Sequence, residues 1–314
     1  MLMKSYLSAF ADFRRINMGN SQNTVDSYVF AVRQFADFLA HRELSLDPDK
    51  VLRQDIDDFM QALFKELRCS SPNSMCLKLS ALRAFFKFLV HKQVILLDPT
   101  EGVPSPKRPK LLPKKFSTSE LKRLLGAPSI STQKGLRDKA LLMTVYGAGL
   151  RKSELVNLDI GNLDDTGAFI HVAIFGKGSK ERTVTLLRRP AAVLRQWLLE
   201  RQRLNPVDSA VFIRTKATPA RLNANYTGTI LKKYGFKMGF QSTSVFMHKL
   251  RSTWATDLYD AGFGLLEICA LAGWSDVKTA QSYVRISERA RRKTAIPDRR
   301  WKELESPADE AMNV

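Results

Sequence analysis

The chain has 314 residues, with 50 Lys and Arg against 31 Asp and Glu, giving a formal charge of +19. That length allows two domains with separate apolar cores, and a positive surplus of this size opposes compaction unless a polyanion absorbs it. Nucleic acid is the expected partner, because neutralised phosphates release counterions; a ribosomal-type basic protein lacks so large an apolar complement, and an anionic-membrane binder needs an amphipathic anchor that the sequence does not show.

The first residues, MLMKSYLSAFADFRR, have their apolar stretch broken by Lys4, Ser5 and Asp12, so they do not read as a signal peptide. No apolar run approaches membrane-spanning length, and a cytoplasmic setting is expected, with no membrane partner. From Asn23 to Arg42, Val25, Tyr28, Val29, Val32, Phe35, Phe38 and Leu39 recur at helical spacing. Ile56, Phe59, Met60, Leu63, Phe64 and Leu67 repeat the stripe, as do Met75, Leu79, Leu82, Phe85, Phe86 and Leu89. The Phe-rich stripes read as the core of a helical bundle, with base-stacking platforms as the alternative. Asp55, Asp57 and Asp58 read as acids favoured at a helix start, with a metal site as the alternative.

Residues 103–116, VPSPKRPKLLPKKF, carry four prolines and a basic cluster, which predicts an extended linker. Lys107, Arg108, Lys110, Lys114 and Lys115 are its candidate contacts to a phosphate backbone, against a plain solvated linker. Four segments follow: residues 1–102 as an N-terminal helical domain, 103–116 as linker, 117–300 as a second domain and 301–314 as a tail.

Beyond the linker, Ser117-Thr-Ser-Glu120 has capping-box spacing and opens a helix. A helix over Leu136–Tyr146 is expected to break at Gly147 and Gly149. Residues 168–175 (AFIHVAIF) and 182–187 (RTVTLL) flank the turn GKGSKE, a hairpin signal, and 210–214 (AVFIR) is a candidate further strand. From Asn223 onward, successive helices are expected to break at Gly235, Gly239, Gly262, Gly264 and Gly273. The fold class is therefore mainly α with a small antiparallel β-sheet.

Cys69, Cys76 and Cys269 are too few and scattered for a disulfide framework and read as buried inert thiols. His41, His91, His171 and His248 lie far apart, so no metal or other cofactor is expected. Phosphodiester transfer by a protein nucleophile needs that nucleophile, cations around the non-bridging oxygens and an acid for the leaving oxygen. The second domain offers candidates for each.

Four motifs, GAGLRKSEL (147–155), GKGSKER (176–182), HKLR (248–251) and LAGWSDVKTAQSYVR (271–285), resemble in order and spacing the tyrosine recombinase family of phage integrases, Xer-type resolvases and Cre-like enzymes. The resemblance covers the second domain in detail, and the N-terminal domain and linker in general character. It implies a SAM-like core-binding domain and a mixed α/β catalytic domain forming a C-shaped clamp on DNA. It places Arg151 and Arg251 as the two catalytic arginines, whose planar donors clamp a phosphate. Lys177 matches the family's mobile-loop general acid, with Lys180 as its rival and as a candidate DNA contact. His248, one helical turn before Arg251, would bind the phosphate or take the tyrosine proton. Trp274 stands where most members carry a second histidine and Cre-like members a tryptophan; its indole N–H can donate to phosphate, and core filling is the alternative. Tyr283, nine residues on, matches the nucleophile, with Tyr226, Tyr234 and Tyr259 as competitors outside any such motif. Glu154 would hold Arg151, against an exposed helix ion pair.

By this resemblance the protein is a site-specific DNA recombinase. Tyr283 would form a 3′-phosphotyrosyl link and free a 5′ hydroxyl, and exchange would pass through a Holliday junction without metal or ATP. The implied partners are double-stranded DNA with a recombination site, three further copies in a tetramer on two sites, and accessory DNA-bending proteins. The basic stretch 288–293 (ERARRK) and an acidic-ended tail follow the nucleophile, and the tail, 301–314, would dock on a neighbouring protomer or stay disordered. The rival readings are a type IB topoisomerase, a metal-dependent nuclease and a DNA-binding regulator with a dead site.

Overall fold

The computed structural model describes residues 2–65, 71–107, 114–175, 181–216, 218–241, 245–284 and 287. The chain divides into two compact units, Met1–Lys110 and Leu111–Val314.

Among its described residues the first unit holds four α-helices: α1 (Leu7–Ile16), α2 (Gln22–His41), α3 (Arg53–Lys65) and α4 (Pro72–His91). The expected stripes of α2, α3 and α4 turn inward, and Phe35, Phe59, Phe85 and Phe86 are fully buried. Their rings meet edge to face, Phe35 with Phe59 at 5.2 Å and Phe10 of α1 with Phe85 at 5.3 Å. Aromatic quadrupoles favour that arrangement, so these rings are core and not base-stacking platforms. Phe64 departs from its stripe and stays exposed, while Leu67 lies outside the described residues. At the start of α3 the Asp55 carboxylate accepts from the backbone N–H of Leu52 at 2.8 Å. Asp57 pairs with Arg53 and Asp58 accepts from Gln54, so the acidic run serves its own helix.

The second unit opens with α5 (Thr118–Gly126), whose capping box forms as expected: Ser117 Oγ accepts from Glu120 N and Glu120 Oε2 from Ser117 N. Next come α6 (Gln133–Ala148) and the short α7 (Lys152–Val156). The sheet follows as β1 (Leu163–Asp165), β2 (Ile170–Phe175) and β3 (Glu181–Leu186), antiparallel in the order β1-β2-β3. Ile170 faces Leu186 and Phe175 faces Glu181 across the hairpin, and Ile170, Val172 and Ile174 point one way into the core. Then follow α8 (Arg188–Arg203), α9 (Ala224–Lys237), α10 (Met247–Asp260), α11 (Leu265–Ala272) and α12 (Val277–Val284).

The fold is thus mainly helical with a small antiparallel sheet, as the sequence predicts, with three local corrections. Residues 210–213 are buried and Arg214 is exposed, and the segment forms isolated bridges, Asp159 with Ala210 and Ile213 with Arg221, instead of a strand of the sheet. Gly147 lies inside α6 and Gly235 inside α9, so neither breaks its helix. A Cβ at Gly147 would come within 2.9 Å of Leu186, and one at Gly235 within 2.8 Å of Val245, so these glycines permit close packing. The break after α6 falls at Gly149, which adopts φ +60°. Cys76 and Cys269 are buried free thiols, and Cys69 lies outside the described residues.

Candidate active site

Two helices end side by side in the second unit and supply backbone oxygens. Helix α6 stops at Gly149 and α11 at Gly273, both left-handed, and a helix C-terminus leaves carbonyls unpaired with a negative dipole end. Guanidiniums occupy those carbonyls. Arg251, on α10, donates to Gly149 O and Ala272 O; Arg151 donates to Gly273 O at 3.1 Å; Arg182, on β3, donates to Leu271 O at 2.8 Å.

A single buried carboxylate sits among them. Glu154 accepts from Arg151 Nη1 at 2.6 Å and from both terminal nitrogens of Arg182 at 3.0 and 2.8 Å, while Arg251 stands 3.7 Å away. Its other bond, from the Arg151 backbone N–H at 2.7 Å, caps α7. Burial pushes the Glu154 carboxyl up, but the bonds from Arg182 and Arg151 outweigh it and hold the group down at about 2. Arg251 is lowered to about 10, first by desolvation and then by repulsion from Arg151, and stays charged at neutral pH.

The phenol lies near Arg251. Tyr283, on α12, stacks on Trp274 with ring centroids 5.0 Å apart and planes 10° apart, and the Arg251 guanidinium lies 5.3 Å from the Trp274 ring. Tyr283 Oη is 3.3 Å from His248 Nε2. His248 presents an exposed edge, yet its ring is desolvated enough to fall below its ordinary value near 6.5, and the charges of Arg251 and Arg151 lower it further. A neutral imidazole next to a phenol can accept its proton. A cavity of about 930 Å³ opens beside the cluster, lined in part by Arg151, Arg182 and Trp274.

Arg151, Glu154, His248, Arg251, Trp274 and Tyr283 therefore gather at one place, although more than 120 residues of chain separate Arg151 from Tyr283. Glu154 is buried, unlike an exposed helix pair, and it touches three guanidiniums. Tyr234 is engaged elsewhere, donating to Asp138 at 2.9 Å, and the Tyr226 ring lies against Arg137. Lys177 and Lys180 lie outside the described residues, as do Arg108 and Lys110. Lys107 and Lys114 are exposed, and Lys115 reaches Asp260 at 3.6 Å. Among the described residues, no three His, Cys, Asp or Glu side chains converge as a metal site would require. Sequence reading gave Arg182 no role. The available signal was its place at the end of GKGSKER, on a strand that must return toward the Arg151 turn.

A stacked phenol beside an imidazole, backed by three guanidiniums on a mainly helical scaffold, has the make-up of an enzyme that moves a phosphate ester through tyrosine. The chain belongs to the phage integrase family, the tyrosine recombinases: the family model for phage integrases matches residues 114–289, and that for their N-terminal SAM-like domain matches 6–95. It is 32% identical to tyrosine recombinase XerD of Listeria innocua serovar 6a, over 91% of this chain and 95% of that one. It is 36% identical to XerC of Proteus mirabilis, over 68% of each. In fold it resembles the XerH site-specific recombinase bound to palindromic difH substrate, with a TM-score of 0.75 at 18% identity, covering 93% of this chain and 83% of that one. It also resembles a lambda integrase tetramer bound to a Holliday junction, with a TM-score of 0.65 at 14% identity over 90% and 77%.

Proposed function

We propose that this site-specific DNA recombinase cuts and rejoins DNA with Tyr283 as nucleophile. Arg151 and Arg251 hold the scissile phosphate, and their donors strengthen as charge builds on the pentacoordinate phosphorus. His248 takes the phenolic proton, and the Trp274 indole N–H adds a donor to a phosphate oxygen. Lys177, with Lys180 as its rival, protonates the leaving 5′ oxygen. The product is a 3′-phosphotyrosyl link that keeps the energy of the broken ester, so a second strand's 5′ hydroxyl reseals it without ATP. Glu154 holds the arginines. Residues 1–102, the basic linker 103–116 with Lys107, Arg108, Lys110, Lys114 and Lys115, and the catalytic part 117–300 all bind duplex DNA. Four copies act on two sites through a Holliday junction, the form in which the lambda integrase neighbour is seen. The setting is the cytoplasm of a bacterium, and the Xer relatives are bacterial proteins; among the described residues no helix is long and apolar enough to cross a membrane.

The observation that carries this reading is the 3.3 Å approach of Tyr283 Oη to His248 Nε2, on a ring stacked against the indole that Arg251 covers. It is tested by incubating the protein with nicked suicide duplexes drawn from its replicon, with EDTA present and no nucleotide. The expected product is a denaturation-resistant protein–DNA adduct that maps to Tyr283. Cleavage that needs a divalent metal and leaves no adduct would overturn the reading, and relaxation of any plasmid without partner exchange would make the enzyme a topoisomerase.

A further inference from the structure

A second cationic cavity, separate from the arginine cluster, lies between the start of α6 and the start of α9. It has a volume of about 330 Å³, at the lower end of the range for ligand pockets, about 300–1,000 Å³. Lys134 enters from α6, and Arg214 and Lys216 from the loop after the buried 210–213 segment. Tyr226 and Asn223 flank it from the first turn of α9, and Arg137 forms part of the wall. Among the described residues, no carboxylate lines this space. Arg137 is already neutralised by Asp138 at 2.6 Å, so it contributes shape and a fixed tyrosine face more than charge. Among the described residues, Lys134, Arg214 and Lys216 make no ion pair and no side-chain hydrogen bond. Three cations that line one cavity without a counter-charge, Arg214 and Lys216 of them exposed, repel one another, and an anion seated there lowers that cost.

The cavity is joined to the candidate active site through a short chain of contacts. Lys152, which follows Arg151, reaches Asn225 Oδ1 at 3.1 Å, and Asn225 precedes Tyr226 in α9. We propose that this cavity is a phosphate-ester site that takes the backbone of the same DNA strand, away from the scissile phosphate. Lys134, Arg214 and Lys216 hold a phosphate there, and the half-exposed Tyr226 ring packs on the adjoining sugar. The inference rests on DNA being the substrate held at Arg151. It adds a positioning site that sets how the strand lies across α7 and α9 before any bond is cut. Such contacts fix register without reading bases.

The test uses full-length protein carrying Tyr283→Phe, so that no adduct forms, and a random-sequence duplex titrated at several salt concentrations. Each neutralised phosphate contributes about 0.9 to the slope of log K against log salt. Replacing Lys134, Arg214 and Lys216 together by Gln is expected to make that slope shallower by about 1. The charge-retaining set Lys134→Arg, Arg214→Lys and Lys216→Arg is expected to keep it. Thermal melts with millimolar adenosine monophosphate separate a free nucleotide from backbone, and no shift is expected. An unchanged slope with a nucleotide-induced rise in Tm, seen in the parent and lost in the Gln set, would overturn the DNA assignment. An unchanged slope with no rise would overturn the site altogether. Neither result touches the phosphotyrosyl reading, because binding is measured without chemistry. A wild-type protein that forms no adduct likewise leaves the salt slope readable.

Discussion

Arg137 and Arg251 are both about 1% exposed, yet one is balanced in charge by its neighbours and the other is not. Arg137 binds one oxygen of Asp138 through Nε and Nη2 at 2.9 and 2.6 Å, and gives its remaining terminal nitrogen to Ile213 O at 3.1 Å. The second oxygen of Asp138 accepts from Tyr234, whose own ionisation is pushed upward by burial and by that carboxylate. One cation thus meets one anion, and the Arg137–Asp138 pair is complete by itself, although Lys134, Arg214 and Lys216 line the cavity it helps to wall. Around Glu154, by contrast, three guanidiniums share one carboxylate and spend their remaining donors on helix-end carbonyls. That region carries an excess of positive charge that it cannot cancel alone. A closed pair holds a fold together, whereas an open surplus awaits an anion from outside.

The largest effect that would sharpen this contrast comes from Tyr283→Phe. It is expected to abolish the covalent adduct while leaving duplex retention in a gel-shift assay unchanged, since the ring still stacks on Trp274. Next comes Arg137→Leu, which strands Asp138 as an uncompensated buried charge and is expected to cost about 3–5 kcal/mol in urea unfolding. At saturating DNA, its rate of adduct formation per folded molecule should stay at the wild-type level, because Arg137 walls the positioning cavity without reaching Tyr283; a selective loss of that rate would erase the distinction between the two arginines. Arg251→Gln should do the reverse. It is expected to slow adduct formation by about 10²–10³-fold, as removal of a transition-state donor does, and to destabilise the protein less than Arg137→Leu because it relieves repulsion from Arg151.

The smallest effect is a pH dependence. The folded Glu154 carboxyl titrates at about 2, below its ordinary 4.5, so the unfolded chain takes up this proton first as pH falls. Its contribution to stability is therefore full above about 4.5 and is lost as pH drops toward 2. The stability gap between wild type and Glu154→Gln, measured by urea unfolding from pH 6 downward, should narrow across that window. A gap that stays constant would remove Glu154 from the centre of the cluster.

Much of this was legible in the residues because the relevant signals are local. The apolar spacing of α2, α3 and α4 reports a buried face directly, and the motifs around Arg151, Arg251 and Tyr283 carry their own turns. The signals that failed depend on what a segment meets elsewhere. Gly147 and Gly235 look like helix breakers, yet each lies inside a helix where a neighbour, Leu186 or Val245, needs the missing Cβ volume. Residues 210–214 are apolar enough for a strand, but the edge they meet offers only single bridges. Arg182 reads in the alternation of β3 as one more cation in a basic protein. Only the return of that strand to α7 and α11 makes it a bidentate partner of Glu154.

Gly149 does three things with one residue: it ends α6 in a left-handed turn, leads two residues later into Arg151, and offers its carbonyl to Arg251. A Cβ there would fall 2.4 Å from the Trp254 ring, on a backbone that L side chains rarely adopt. Any side chain at this position therefore meets both a ring and a strained backbone. In a randomised library screened for active clones, the position should return glycine alone, even where Lys152 or Ser153 nearby accepts many replacements.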